Sequence, residues 1–321
     1  MAMETMIPLA DLQSIYSVAD VDRALGDGAA RRNEGLKSWY DRMRALGGSR
    51  YIIKPSTAAA VDDLCEQSPN FVNVIDDLRK YLALAVAGNE AVQFTPMLLL
   101  GAPGLGKTYF AKKLAQALGT GFEFVSMSSL TAGWVLTGAS AQWNNARPGK
   151  VAQTLIEREY ANPVMVLDEV DKAGGDSRYD PMGALYALLE RDTAAHFKDE
   201  FIDVDIDASH ILWVATANDE STIPEPILNR MNVYAIEQPD ADGGRTIALA
   251  VYHEILDAHH WPFPHEPSES VVERLSTLPP RDMRKLLLDA FGTARLANRD
   301  FLVPEDIDAK KLCGRKARLG F

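Results

Sequence analysis

The chain has 321 residues, more than one hydrophobic core usually serves, so two or three packed units are expected. Its 47% hydrophobic and 24% charged content is that of an ordinary globular protein and excludes a disordered or fibrous class. A net charge of −12 argues against a dominant nucleic-acid surface, and no apolar run reaches membrane-spanning length. The start Met1-Ala2-Met3-Glu4 lacks a basic stretch followed by an apolar one, so no secretion signal is read and a cytoplasmic protein is expected. Cys65 and Cys313 are far apart and carry no ligand or disulfide spacing; both read as reduced thiols.

In chain order, residues 1–67 read as a helical segment. Leu36, Trp39, Tyr40, Met43 and Leu46 fall on one helical face that Gly47-Gly48 ends, and Ser56 or Thr57 can cap a short helix towards Cys65. Ser68-Pro69 opens a longer helix with Phe71, Val72, Ile75, Leu78 and Leu82 as its apolar stripe. From residue 96 short apolar runs alternate with helical stretches: Met97–Leu100, Phe122–Ser126, Val164–Leu167, Ile211–Ala215 and Val233–Ile236. Five such runs separated by helices predict a parallel five-stranded sheet covered on both faces, an α/β core. After Pro239 the strands stop. Helical patterns at Thr246–Leu256, Val271–Leu275 and Met283–Leu296, interrupted by Trp261-Pro262-Phe263-Pro264, predict a small α-helical C-terminal domain, with a last helix from Val303-Pro304. The expected division is therefore 1–67, 68–239 and 240–321.

Two motifs carry chemistry. Gly101-Ala102-Pro103-Gly104-Leu105-Gly106-Lys107-Thr108 fits G-x-x-x-x-G-K-[ST] in full, after the strand Met97–Leu100 and before a helix Tyr109–Leu118. Glycines let main-chain N–H groups converge on phosphate oxygens, and the helix presents its positive end to the same anion. Lys107 would neutralise β/γ oxygens and Thr108 would ligate Mg²⁺, making ATP and Mg²⁺ the expected cofactors. The loop residues Gly101 to Thr108, with Tyr109, form the expected nucleotide-binding set. The second motif, Val164-Met165-Val166-Leu167-Asp168-Glu169, is an apolar strand ending in two carboxylates. One can hold the metal, for which Asp168 is taken, and the next, Glu169, can polarise the attacking water. An acidic pair at a strand end is also a common loop start; the phosphate loop decides for the functional reading.

Over roughly residues 68–309 the chain resembles the AAA+ ATPases, and among them the ATPase module of Lon-type proteases. The resemblance rests on both motifs and on Asp168-Glu169-Val170-Asp171-Lys172, Asp180-Pro181-Met182-Gly183-Ala184-Leu185, Phe201-Ile202-Asp203-Val204, Val214-Ala215-Thr216-Ala217-Asn218 and Ile223-Pro224-Glu225-Pro226-Ile227-Leu228-Asn229-Arg230-Met231. It implies a P-loop NTPase core with a helical lid, and roles for single residues. Asn218 resembles sensor 1, holding the attacking water. Arg230 resembles an arginine finger reaching into a neighbouring subunit's site, so a homo-oligomer, a ring or helix of hexamer-like kind, is implied. Arg281 resembles sensor 2 on the lid, with Arg284 and Lys285 close enough to leave the register open. Trp143 aligns with the aromatic position of the first pore loop, a grip on a protein substrate or an aromatic at a subunit contact. Asn144 and Asn145 depart from the family there. The Ser–Lys protease domain of Lon-type chains has no counterpart, so no peptidase activity is expected, and residues 1–67 match no family N-domain.

The leading expectation is thus an ATP-hydrolysing oligomer that remodels a protein partner. Lys310, Lys311, Arg315, Lys316 and Arg318 form a basic tail on an acidic protein. It keeps open a nucleic-acid-linked loader or a defence or mobile-element ATPase, beside a nucleotide-gated assembly scaffold.

Overall fold

The computed structural model describes residues 9–27, 33–129, 133–143, 145–173 and 182–308. Asp180 and Pro181, Asn144, Cys313 and the basic tail lie outside the described residues.

The chain divides into two compact units. The first comprises residues 1–61, 76–100 and 111–235. Its strands, in chain order, are β1 (Leu9–Ser14), β2 (Ser49–Lys54), β3 (Met97–Leu100), β4 (Phe122–Ser126), β5 (Val164–Asp168), β6 (Phe197–Lys198), β7 (Asp205–Ile206), β8 (Leu212–Ala217) and β9 (Asn232–Ala235). Five of them form one parallel sheet in the order β4–β5–β8–β3–β9. The apolar runs read from the sequence are these strands, shifted by a residue or two at their ends. Burial follows position: every residue of β8 and all but the last of β5 are buried, whereas the edge strands β4 and β9 alternate or stay half-open. A central strand covered by helices on both faces must be apolar throughout, which is why Val-Met-Val-Leu and Leu-Trp-Val-Ala occupy the middle.

The segment read as helical from residue 9 contains the helices Val18–Gly26 and Glu34–Leu46, the second capped by Asn33 and ended by Gly47 at φ 71°. It also holds a strand pair that the pattern does not reveal. β1 and β2 pair antiparallel, Leu9 opposite Lys54 and Ser14 opposite Ser49. β2 docks through its main chain: Asn162 both accepts from Ile53 N and donates to Ile53 O at 2.9 Å. Arg50, buried, donates from Nε to Leu155 O at 2.9 Å and from Nη2 to Ile156 O, satisfying carbonyls at the end of the helix Lys150–Glu157. Ile15, Tyr16, Val21, Leu36, Tyr40, Met43 and Ile52 lie in the same apolar core as Met165, Leu167 and Ala215 of the sheet.

The second unit comprises residues 62–75, 101–110 and 236–321. It holds the phosphate-loop sequence and the helices Ala241–Asp257, Glu269–Ser276 and Pro280–Leu296. Their apolar faces share a core built on Tyr252, Ile255, Val271, Leu275, Met283, Leu287 and Phe291. Phe71 stacks on Phe110 at 4.3 Å and joins the other two segments of this unit. The expected last helix is a single turn, Pro304–Asp306, held by Arg299, whose two terminal nitrogens each meet a carboxylate oxygen of Asp306 at 2.7 Å. That bidentate pair holds the Asp306 carboxyl below its ordinary pKa.

Candidate functional site

The loop is shaped for close main-chain approach. Gly104 and Gly106 have φ of 91° and 89°, where a side chain would be strained. Gly101 is required for a different reason: a Cβ there would stand 2.3 Å from the carbonyl oxygen of Ile236. Asn70 spans the loop's far side, its Nδ2 donating to Leu105 O at 3.3 Å and Glu237 O at 3.2 Å. Lys107 is only 8% exposed, and its Nζ donates to Gly101 O at 2.6 Å and Ala102 O at 3.0 Å, so the ammonium sits inside the curl of its own loop. Lys107 and Thr108 open the helix Lys107–Leu118, whose first turn carries the positive end of the helix dipole.

Arg281 reaches this loop from the helix Pro280–Leu296. Its main-chain N–H donates to Gly104 O at 3.3 Å, and its Cβ would lie 3.5 Å from a Cβ on Gly104. Arg284 instead pairs with Glu254 at 3.2 Å, so of the cations considered for the sensor position Arg281 is seated at the loop and Arg284 is engaged elsewhere. Tyr109 also turns to Glu254, its hydroxyl donating at 3.3 Å; burial first, and then the carboxylate, push the phenol up to about 12. Its side chain thus reaches the helix Ala241–Asp257.

In the first unit Asp168 ends β5 and Glu169 follows with φ 57°, a left-handed residue that turns the chain sharply off the strand. One hydroxyl organises both. Thr216, buried in β8, donates from Oγ1 to Asp168 Oδ1 at 2.9 Å and accepts from Glu169 N at 3.0 Å. No motif marks Thr216 in the sequence; its signal there is a lone hydroxyl in the apolar run Leu-Trp-Val-Ala-Thr-Ala. Asn218 follows Ala217, which is in register with Leu100, the last residue of β3. Asp168, Glu169 and Asn218 thus sit at the carboxyl edge of the sheet, where parallel α/β sheets take their ligands.

Arg230 is at the other edge. It precedes β9, whose first residue, Asn232, is in register with Met97, the first of β3. Its Nε lies 2.9 Å from Glu190 Oε1, its Nη1 donates to Pro226 O at 2.6 Å, and the guanidinium stands 5.8 Å from the Tyr186 ring centre. It borders a cavity of about 460 Å³ together with Tyr81, Gln93, Phe94, Arg191 and His210.

Trp143 is 51% exposed on a small loop closed at its neck by Ala139 N donating to Arg147 O at 3.2 Å. Trp134, 37% exposed, meets it edge-on at 5.5 Å. Asp199 pins the loop base: buried, it accepts from Gly149 N at 2.7 Å, Phe201 N at 2.9 Å and Ile202 N at 3.1 Å. Burial outweighs those donors and raises its carboxyl to about 6. Gly138 is obligatory here, since a Cβ would stand 2.3 Å from Asp199 Oδ1.

A parallel five-stranded sheet with G-x-x-x-x-G-K-[ST] after one strand and an acid pair at the end of another defines the P-loop NTPase class. Residues 97–237 match the model of the ATPase family associated with various cellular activities (AAA), so the chain carries an AAA ATPase module. In sequence the chain is similar to Lon proteases. It is 32% identical over 197 residues to a Lon protease of Wolbachia pipientis, covering 61% of this chain and 24% of the relative. It is 37% identical over 162 residues to a Lon protease of Nitrosococcus oceani, covering 50% and 21%. The chain spans about a fifth to a quarter of the length of these curated relatives. In fold it is similar to Hsp104 of S. cerevisiae in a casein complex, with a TM-score of 0.61 and 18% identity over 76% of this chain and 48% of that one. It is also similar to the RuvB Holliday junction branch migration motor of Thermotoga maritima, with a TM-score of 0.50 and 19% identity over 73% and 66%. Among the described residues no helix is long and apolar enough to cross a membrane.

Proposed function

We propose that the chain hydrolyses ATP as a cytoplasmic AAA+ oligomer and uses the turnover to remodel a protein partner, with 68–239 as nucleotide-binding core and 240–321 as helical lid. One observation carries this reading furthest: Arg230 occupies the amino edge of the sheet, whereas Asp168, Glu169 and Asn218 occupy the carboxyl edge. The six-residue β8 alone separates the two edges by roughly 17 Å, so Arg230 does not reach the acid pair of its own chain. A second copy that laid its amino edge against the first copy's site would supply the guanidinium in trans.

The residues fit the group they are expected to hold. The positive-φ glycines and the curled Lys107 ammonium make a cradle for a triphosphate, with the main chain of residues 101–108 and Arg281 around it. Thr108 and Asp168 offer hydroxyl and carboxylate oxygen, the donors Mg²⁺ prefers. When bound, that ion neutralises charge on the phosphates. Glu169 accepts the proton of the attacking water, Asn218 orients that water, and Thr216 fixes the two acids relative to each other. Trp143, exposed at a loop tip, is the proposed contact to the protein partner; kinship with Lon proteases supports that class of substrate.

Mixing tests the in-trans role. Glu169→Gln chains and Arg230→Ala chains should each be nearly inactive, while an equimolar mixture recovers a measurable fraction of wild-type turnover. No recovery, with both variants shown to co-assemble, would falsify the shared site.

A further inference from the structure

The loop Trp261-Pro262-Phe263-Pro264-His265-Glu266-Pro267 is built more rigidly than a connection between two helices requires. Its prolines fix φ at three positions. Phe263 meets Phe291 edge-on at 4.7 Å, and Trp261 lies 5.4 Å from the same ring. Tyr252, on the helix Ala241–Asp257, donates from its hydroxyl to Pro264 O at 2.7 Å. The result is that His265 is held over His253, the residue after Tyr252, with the imidazole planes 20° apart and their centres 4.4 Å apart. Glu266 completes the group: its Oε1 lies 3.6 Å from His265 Nδ1 and 4.0 Å from His253 Nε2.

We propose that His253, His265 and Glu266 form a binding site for one late divalent transition-metal ion, Zn²⁺ fitting best. The three ligand atoms lie within 4.8 Å of one another. Hydrogen bonding does not explain the arrangement, because 3.6 and 4.0 Å exceed the roughly 2.7–2.9 Å of a charge-assisted bond. His253 Nε2 is shut off from solvent and meets no hydrogen-bond partner among the described residues, although it lies 4.0 Å from Glu266 Oε1. Around zinc with bonds of about 2.0–2.2 Å, tetrahedral donors stand about 3.3 Å apart, so side-chain rotation of about an ångström closes the set. Two imidazoles select against Mg²⁺ and Ca²⁺, which prefer oxygen. Glu266 is exposed, giving the ion an entry path, and three protein ligands leave a fourth position for water. An ion there would clamp the loop to the helix whose Glu254 holds Tyr109 and Arg284.

The test uses the full chain with any histidine tag removed, titrated with ZnCl₂ by calorimetry and with CoCl₂ by visible absorption. One ion per chain is expected at micromolar affinity, with the d–d bands of a low-coordinate Co²⁺ site and a rise in Tm on adding Zn²⁺. His253→Ala/His265→Ala should abolish the binding, and Glu266→Gln should weaken it, with nucleotide affinity unchanged. If the double variant does not fold, His265→Ala alone, in the exposed loop, must still lose the Co²⁺ spectrum. Binding no tighter than millimolar, or stoichiometric binding that survives these substitutions, overturns the site.

Discussion

The two edges of the central sheet are built from opposite chemistry. At the carboxyl edge β5 and β8 lead into Asp168, Glu169 and Asn218, and the Thr216 hydroxyl ties Asp168 to Glu169. At the amino edge Arg230 is steadied by Glu190 and Tyr186 beside an open cavity. The acids are organised from within the sheet, by a buried hydroxyl. The guanidinium is organised at the surface, by an ion pair that a stronger anion can replace. The difference teaches that Arg230 and the acid pair occupy opposite edges of one sheet, the arrangement on which the proposed shared site rests.

Variants can break this comparison on either side. The largest effect is expected from Lys107→Ala, which removes the ammonium that Gly101 and Ala102 now hold; fluorescent-nucleotide titration should detect no binding, and retained tight binding would remove the loop from the site. Arg230→Ala should cut turnover by about 10³–10⁵ while each chain still binds nucleotide, which separates an amino-edge defect from a carboxyl-edge one. Glu169→Gln should bind normally, stall hydrolysis and accumulate assemblies visible by light scattering. Thr216→Val keeps shape but loses both hydrogen bonds; turnover should fall about 10–100-fold, the range for residues that orient others. Unchanged turnover would mean that the acids need no such fixing.

The smallest effect lies at neither edge. The Asp199 carboxyl titrates near 6, above its ordinary 3.8, because burial disfavours its charge. Since the folded value is the higher one, its stabilising contribution is full below about pH 3.8 and is lost as pH rises through about 6. Asp199→Asn should therefore gain stability relative to the wild type between pH 4 and pH 7, by about 2–3 kcal/mol at most, read from paired urea melts. A constant difference across that range would place the charge elsewhere.

Much of this was legible in the sequence because its physics is local. Fully buried parallel strands read as short apolar runs, and the phosphate loop needs its glycines and lysine at fixed spacing, so both were found to within a residue or two. β1 escaped because Leu9–Ser14 is exposed on almost every residue and carries no alternation, while its partner lies some forty residues away. Arg230 could be named from the resemblance, but which edge it occupies depends on the register of β9 against β3. Thr216 and Asn70 had no motif to flag them: each matters through a neighbour brought in by the fold. His253 and His265 are separated by a proline-rich loop whose closure no spacing rule anticipates.

Arg50 sets a boundary that similarity to other proteins does not. The match to the AAA family model starts at residue 97, yet this guanidinium caps carbonyls of Leu155 and Ile156, while Ile53 is tied to Asn162 by its backbone. Cutting the gene at the homology border would strip donors from a helix end and bare an apolar face of the sheet. The smallest piece of this protein that can stand alone is consequently larger than the piece its relatives share, and expression trials should keep the first strand pair.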